Sequence, residues 1–142
     1  ARIDNLLAER GYTSVLWNLG AGDFQVKSAN EVLDVFRHML DYREREHLDR
    51  GGVVLLHDTY AWSVDAFQLI WGDLLARNCQ LLARGEELYD VVSDLGFFYQ
   101  ARGDAAPGVL ADPADPPADV IAARQARLRV ETRQRCSALD GF

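Results

Sequence analysis

The expected fold is decided by the stretch Gly52-Val53-Val54-Leu55-Leu56-His57-Asp58. Its four consecutive apolar residues have the length of a strand that is covered on both faces, which is typical of parallel sheets. The strand is expected to end at His57, where polar and ionisable residues begin. Because reactive residues of parallel α/β folds gather at the carboxyl ends of strands, His57 is a candidate catalytic residue.

Helices are predicted on both sides of this strand. A capping box of Ser28 and Glu31 opens one of them, and apolar residues between 32 and 40 then recur at helical spacing. The other predicted helices cover residues 63–78, residues 3–10 and a segment that starts at residue 86. Two further strands are predicted, over residues 13–17 and 79–82.

The alternation of helices and strands predicts an α/β fold whose parallel strands are joined by right-handed crossovers. Three strands make a small sheet with exposed edges, so either the sheet is larger or another chain covers it. Three segments are distinguished: the α/β part over residues 1–100, a Pro/Asp/Ala-rich linker over 101–118, and an Arg-rich terminal helix over 119–142. That helix is interpreted as solvated, or alternatively as a docking helix for an acidic partner.

Composition narrows the class of protein. The chain has 142 residues, a hydrophobic content of 49% and a formal net charge of -7, which suits one packed domain and argues against a nucleic-acid binder. Neither a membrane-spanning stretch nor a signal peptide is recognised. Cys79 and Cys136 are interpreted as two buried or incidental thiols, with a bridge between tail and body as the alternative in an extracellular protein.

A second ionisable residue, Asp23, lies in the loop after the first predicted strand. If the strands that precede Asp23 and His57 are neighbours, about 5 Å apart, the two side chains can meet at the end of the sheet. A carboxylate beside a histidine favours the charged imidazolium that a general acid requires. The alternative is a loop histidine that only bonds to the backbone. His38 and His47 are interpreted as structural or solvated, and a metal site of Asp23, His57 and Asp58 has weak support.

Two stretches resemble a known family. Residues 11–17, read as G-Y-T-S-V-L-W and followed by Asp23, resemble the segment of polysaccharide deacetylases that reads G-Y-x-x-V-x-W and then D-x-x-D-W. Residues 52–58 are similar to the closing L-x-H motif of the same NodB-like family. The resemblance covers about residues 1–95. It implies the C-terminal part of a deformed (β/α) barrel with parallel strands, followed here by a C-terminal helical tail.

The resemblance also implies a chemistry, the removal of N-acetyl groups from a carbohydrate by a metal-dependent hydrolase. His57 would be the general acid, Asp23 would tune it, and Leu55, Phe24 and Trp17 would contact the substrate. A divalent metal, zinc, is implied, with its ligands outside this chain. The sequence departs from the family motif at Gly20, which stands where the first Asp belongs, and at Phe24, which replaces a Trp.

Three interpretations follow from the sequence. The first is part of a carbohydrate N-deacetylase that needs a complementary N-terminal half or a second copy of the chain. The second is a non-catalytic, deacetylase-like binding or scaffold module, favoured by Gly20 and Phe24. The third is an unrelated three-layer α/β domain. The family is often secreted or found at the cell surface.

Overall fold

A computed structural model describes residues 2–12, 16–47, 50–93 and 117–139. Its elements in chain order are helix α1 (Arg2–Glu9), strand β1 (Leu19–Gly20), helix α2 (Ala29–His47), strand β2 (Val54–Leu55), helix α3 (Ala61–Arg84) and helix α4 (Ala118–Leu139). The described residues belong to two compact units. One holds residues 2–12, 16, 90–93 and 117–126, and the other holds residues 17–47, 50–89 and 127–139.

The expected barrel part is wrong. Where the structure describes the chain, only two strands occur, each two residues long, and the protein is mostly helical. The strands pair in parallel, with Leu19 opposite Val54 and Gly20 opposite Leu55. The parallel pairing and a strand within residues 53–56 are therefore confirmed. The expectation that this strand is covered on both faces is wrong, since Val54 is 44% exposed. A pair this short cannot form part of a barrel wall, nor the sheet of a three-layer α/β domain.

Helix α2 and its start agree with the sequence analysis. The hydroxyl of Ser28 accepts a bond from the backbone N–H of Glu31 at 3.3 Å and donates to the Glu31 carboxylate at 2.7 Å. The apolar face of the helix packs against α3 and β1. The main buried cluster of this unit is formed by these three elements and by Ala21, which follows β1. It consists of Leu19, Ala21, Val32, Leu33, Phe36, Leu40, Ala66 and Ile70.

The third predicted strand, residues 79–82, is wrong because α3 continues through it to Arg84. Asn78 does not end the helix. The buried positions Ser63, Ala66, Ile70, Asn78 and Leu81 keep one helical stripe from beginning to end. Gly85 follows in the left-handed conformation, with φ 73°, and ends the helix. Residues 86–93 are not helical, so the helix predicted to start at residue 86 is wrong over that range.

Asn78 instead holds the segment after α3. Its side chain accepts a bond from the Tyr89 N–H at 2.7 Å and donates to the Tyr89 carbonyl at 2.9 Å, as a neighbouring strand would. Burial, aided by the nearby Glu44 carboxylate, raises the pKa of Tyr89 to about 12, so its hydroxyl stays protonated at neutral pH. Arg50 adds two ion pairs here, to Glu44 at 2.7 Å and to Glu86 at 2.8 Å.

The first strand lies later than predicted. Residues 16 and 17 are not in a strand, residues 13–15 lie outside the described residues, and β1 begins at Leu19. Asn18 explains the position, because its backbone N–H donates to the Val53 carbonyl at 3.2 Å and its side-chain oxygen accepts from the Val53 N–H at 2.8 Å. This side-chain bond places β1 beside β2. This contact requires glycine at position 52, because a Cβ there would lie 2.5 Å from the side-chain oxygen of Asn18.

The Arg-rich segment forms helix α4 from Ala118 to Leu139. Of the two interpretations of the cysteines, two separate thiols is wrong and a bridge is found. Cys79 of α3 and Cys136 of α4 form a disulfide, with Cα atoms 5.8 Å apart. Arg129 donates to the backbone carbonyl of Glu86 at 2.5 Å, so this arginine of α4 is bonded within its own chain. Residues 101–116 of the expected linker lie outside the described residues. No helix in the described parts of the chain is long and apolar enough to cross a membrane.

Helix α1 belongs to the unit that also holds residues 90–93 and 117–126. Helix α1 ends at Glu9, and Gly11 follows with φ 75°, while the N–H of Tyr12 donates to the Leu7 carbonyl at 2.9 Å. The helix over residues 3–10 and its glycine stop are thus confirmed. In the same unit the guanidinium of Arg124 holds the Asp90 carboxylate with two bonds, at 2.6 and 3.0 Å.

Candidate functional site

The two strands bring Asp23 and His57 together. Asp23 lies three residues beyond the end of β1, and His57 lies two residues beyond the end of β2. Because the strands are parallel and adjacent, both residues emerge at the same edge. The Nδ1 atom of His57 lies 2.9 Å from Oδ1 of Asp23. The contact predicted from the sequence is confirmed, on a sheet much smaller than the one expected.

The Asp23 carboxylate is buried, with 1% of the residue exposed, and each oxygen is used. Oδ2 accepts bonds from the backbone N–H of His57 at 2.6 Å and from the Ser63 hydroxyl at 2.7 Å, while Oδ1 faces the His57 ring. Burial alone would raise the pKa of Asp23. The three hydrogen bonds and the attraction of His57 outweigh burial and hold the pKa below its ordinary value. Asp23 is therefore ionised at neutral pH.

An ionised Asp23 fixes the proton on His57. A carboxylate only accepts hydrogen bonds, so Nδ1 must carry hydrogen and donate it to Oδ1. The second ring nitrogen, Nε2, has no hydrogen-bond partner among the described residues. The His57 side chain is 41% exposed, whereas that of Asp23 is 2% exposed. The buried Asp23 carboxylate therefore orients the His57 ring, and the accessible Nε2 of His57 can exchange a proton with a bound molecule.

Two aromatic rings contact the ring of His57. Phe24 is 58% exposed, and its ring meets that of His57 edge-on with centroids 5.9 Å apart. Tyr60 approaches His57 in the same manner at 6.1 Å and stacks on Trp62 at 4.9 Å. The indole N–H of Trp62 also donates to the Asp23 carbonyl at 2.8 Å. Aromatic side chains with a few directed polar groups are typical of ligand sites.

The other residues predicted to contact substrate lie on β1, on β2 or just before them. Leu55 is half-buried in β2, opposite Gly20 of β1. Trp17 is 55% exposed, and its ring lies beside Gly20, since a Cβ on that glycine would be 3.8 Å from it. The structure therefore places Asp23, His57 and Phe24 in direct proximity. Among the described residues, no hydrogen bond or ring contact joins Leu55 or Trp17 to His57.

Three residues of the site were not predicted as such: Ser63, Trp62 and Tyr60. Ser63 carried a usable signal, because it stands in a helical row with Ala66 and Ile70, where a hydroxyl must find a partner once it is buried. The partner itself, 40 residues earlier in the chain, could not be derived from spacing.

The site residues do not fit a metal site. The described residues contain no group of three or more His, Cys, Asp or Glu side chains that could hold an ion. Both Asp23 oxygens already accept hydrogen bonds, and Asp58, the third weak candidate, is exposed. The divalent ion, whose ligands were expected outside this chain, stays a prediction.

The geometry can thus support proton transfer beside an aromatic surface. Comparisons of the chain with protein-family models, with curated proteins and with solved structures each find no match. The resemblance to the polysaccharide deacetylases stays a prediction, and the site is interpreted from its own contacts.

Proposed function

We propose that this chain is part of a hydrolase that removes N-acetyl groups from a carbohydrate, with His57 as its general acid. The observation that carries the proposal is the 2.9 Å contact between His57 Nδ1 and the buried Asp23 carboxylate. This contact makes a directed acid–base pair out of a histidine that would otherwise be an ordinary loop residue. The motif around His57 supplies the substrate class.

Amide hydrolysis needs what this pair offers. After water adds to the acetyl carbonyl, the C–N bond breaks only when the nitrogen is protonated, because an amide anion is a poor leaving group. The imidazolium of His57 donates its Nε2 proton to that nitrogen, the C–N bond breaks, and the free amine leaves. Conversion of the remaining hydrated acetyl group to acetate releases two protons, of which one returns to Nε2 of His57 and the other goes to the solvent. Asp23 stays ionised throughout and stabilises the charged ring. Residues that activate the attacking water are not assigned.

The aromatic rings fit a sugar substrate. The C–H faces of sugar rings pack on aromatic faces, and Phe24 and the Tyr60–Trp62 stack supply such faces beside His57. A disulfide between Cys79 and Cys136 also accords with an oxidising compartment, where extracellular glycans are found. We include secretion or cell-surface location in the proposal.

The test measures acetate release from an N-acetylglucosamine tetramer, with the protein as encoded, including any segment beyond residues 1–142, and with zinc in the buffer. His57→Ala is expected to lower kcat by roughly 10²–10⁴-fold, the usual contribution of a general acid. His38→Ala is the matched control, since His38 is exposed on α2, and it should keep the full rate. No acetate release by the unsubstituted protein, or full activity of His57→Ala, would refute the proposal.

A non-catalytic carbohydrate-binding module is the second candidate. It is favoured by Gly20, where the related motif has a carboxylate, and by the stacked Tyr60 and Trp62. Calorimetric titration with the same tetramer separates the two functions. Binding that is weakened by Tyr60→Ala but unaffected by His57→Ala, without acetate release, would favour the module.

A further inference from the structure

Ser63 occupies an unusual place for a hydroxyl. It lies in the first turn of α3 and is 2% exposed. Serine hydroxyls near a helix start usually bond to the local backbone. Here the backbone N–H of Ser63 donates to the Tyr60 carbonyl at 3.0 Å, whereas its hydroxyl donates to Asp23, 40 residues away, at 2.7 Å. The hydroxyl therefore serves the candidate site.

The bond from Ser63 determines which Asp23 oxygen faces His57. Oδ2 receives two donors, the Ser63 hydroxyl and the backbone N–H of His57. Rotation of the carboxylate would break both bonds inside the protein, where unsatisfied donors are costly. Oδ1 consequently remains directed at Nδ1 of the ring.

We propose that Ser63 is a positioning residue, which holds the Asp23 carboxylate in the orientation that fixes the proton on Nδ1 of His57. For catalysis the inference rests on the proposed function, but the positioning itself needs no substrate. A serine that only filled space would leave the His57 ring unchanged on replacement by alanine. Positioning predicts a change at a ring that Ser63 does not itself bond.

The experiment compares Ser63→Ala with the unsubstituted protein by NMR. The ¹³C shift of the Asp23 carboxyl is followed against pH, and the ¹⁵N shifts of the neutral His57 ring report which nitrogen carries hydrogen. A hydrogen bond to a charged group favours ionisation by about tenfold or more, so Ser63→Ala should weaken Asp23 as an acid by roughly that factor. The fraction of His57 with hydrogen on Nδ1 should fall.

Two further variants control for structural effects. Ser63→Thr keeps a hydroxyl and should restore both signals. Ser28→Ala removes the same type of bond, a serine hydroxyl donating to the Glu31 carboxylate at 2.7 Å, at a place remote from His57 in sequence, and should change neither signal. Unchanged Asp23 titration and unchanged His57 ring shifts in folded Ser63→Ala would overturn the inference.

A measurement on the unsubstituted protein guards against a variant that fails to fold. The Ser63 hydroxyl proton should exchange slowly with water and show a contact to the Asp23–His57 pair, and a rapidly exchanging hydroxyl would overturn the inference. Because these readouts need no substrate, failure of the proposed hydrolase leaves them intact. Conversely, acetate release with His57 dependence but without any Ser63 effect would remove only the positioning role.

Discussion

Breaking the disulfide between Cys79 and Cys136 should lower the stability of the unit to which both cysteines belong. Cys79 and Cys136 are 57 residues apart in sequence. A bond that closes a loop of that length lowers the entropy of the unfolded chain by an amount equivalent to about 4 kcal/mol at 25 °C. Measured effects are usually about 2–4 kcal/mol, because the native state absorbs part of the constraint. The double variant Cys79→Ser, Cys136→Ser is therefore expected to unfold at a distinctly lower urea concentration.

The assay is urea unfolding followed by circular dichroism, with and without reductant. Reductant should lower the midpoint of the unsubstituted protein to that of the double variant, and it should leave the double variant unchanged. Hydrogen exchange adds a local readout, since residues 127–139 should lose protection first. Apart from the disulfide, residues 127–138 have little buried surface: of their side chains only that of Thr132 is buried, at 2% exposed. Equal midpoints in oxidised and reduced protein, or two free thiols by titration, would refute the reasoning.

Three further predictions concern stability. Asn78→Ala leaves the backbone N–H and carbonyl of Tyr89 without their partner, so we expect the unfolding free energy measured in urea to fall by about 2–3 kcal/mol. The control Gln68→Ala, at an exposed position, should change it little. Gly52→Ala brings a Cβ within 2.9 Å of the Leu19 side chain and should cost on the order of 1–3 kcal/mol, whereas an unchanged midpoint would contradict the close approach. The pKa of Asp23 lies below its ordinary value of 3.8, so the contribution of its carboxylate to stability is complete above that pH and is lost as the pH falls through the lowered pKa. Asp23→Asn should therefore flatten the dependence of the unfolding free energy on pH below 3.8. An identical pH dependence in the variant would contradict the lowered pKa.

The elements that the sequence predicted correctly are those with local signals. The capping box and the helical spacing of α2 need only residues within about two turns of each other, and the structure follows them. The strand before His57 is likewise a short continuous apolar run. The contact between Asp23 and His57 needed one non-local assumption, that the strands before them are parallel neighbours. Two parallel neighbouring strands do precede them, although the first begins at Leu19 and was expected over residues 13–17.

The errors arose where a distant partner changed the role of a residue. Asn78 has the character of a helix stop, but its amide is used by Tyr89, 11 residues later, so the helix continues. The extra turns then occupy the residues expected to form a third strand, and the barrel expected from the family resemblance loses its basis. The role of Ser63 was missed for the same reason, since its partner lies 40 residues away. The disulfide joins cysteines 57 residues apart, and the sequence offered it only as the alternative to two separate thiols.

Substitutions of Asp23 and of His57 test different properties of the protein. The Asp23 carboxylate is buried and accepts three hydrogen bonds. One of them, from the backbone N–H of His57, joins the segment that follows β1 to the segment that follows β2. Removing its carboxylate leaves the buried donors of Ser63 and His57 unsatisfied, so loss of activity in Asp23→Ala would not distinguish a catalytic role from a structural one. His57 contributes its exposed ring, and its backbone bond to Asp23 survives any side-chain substitution. Changes at His57 therefore test the proposed chemistry, whereas changes at Asp23 test the chemistry and the fold together.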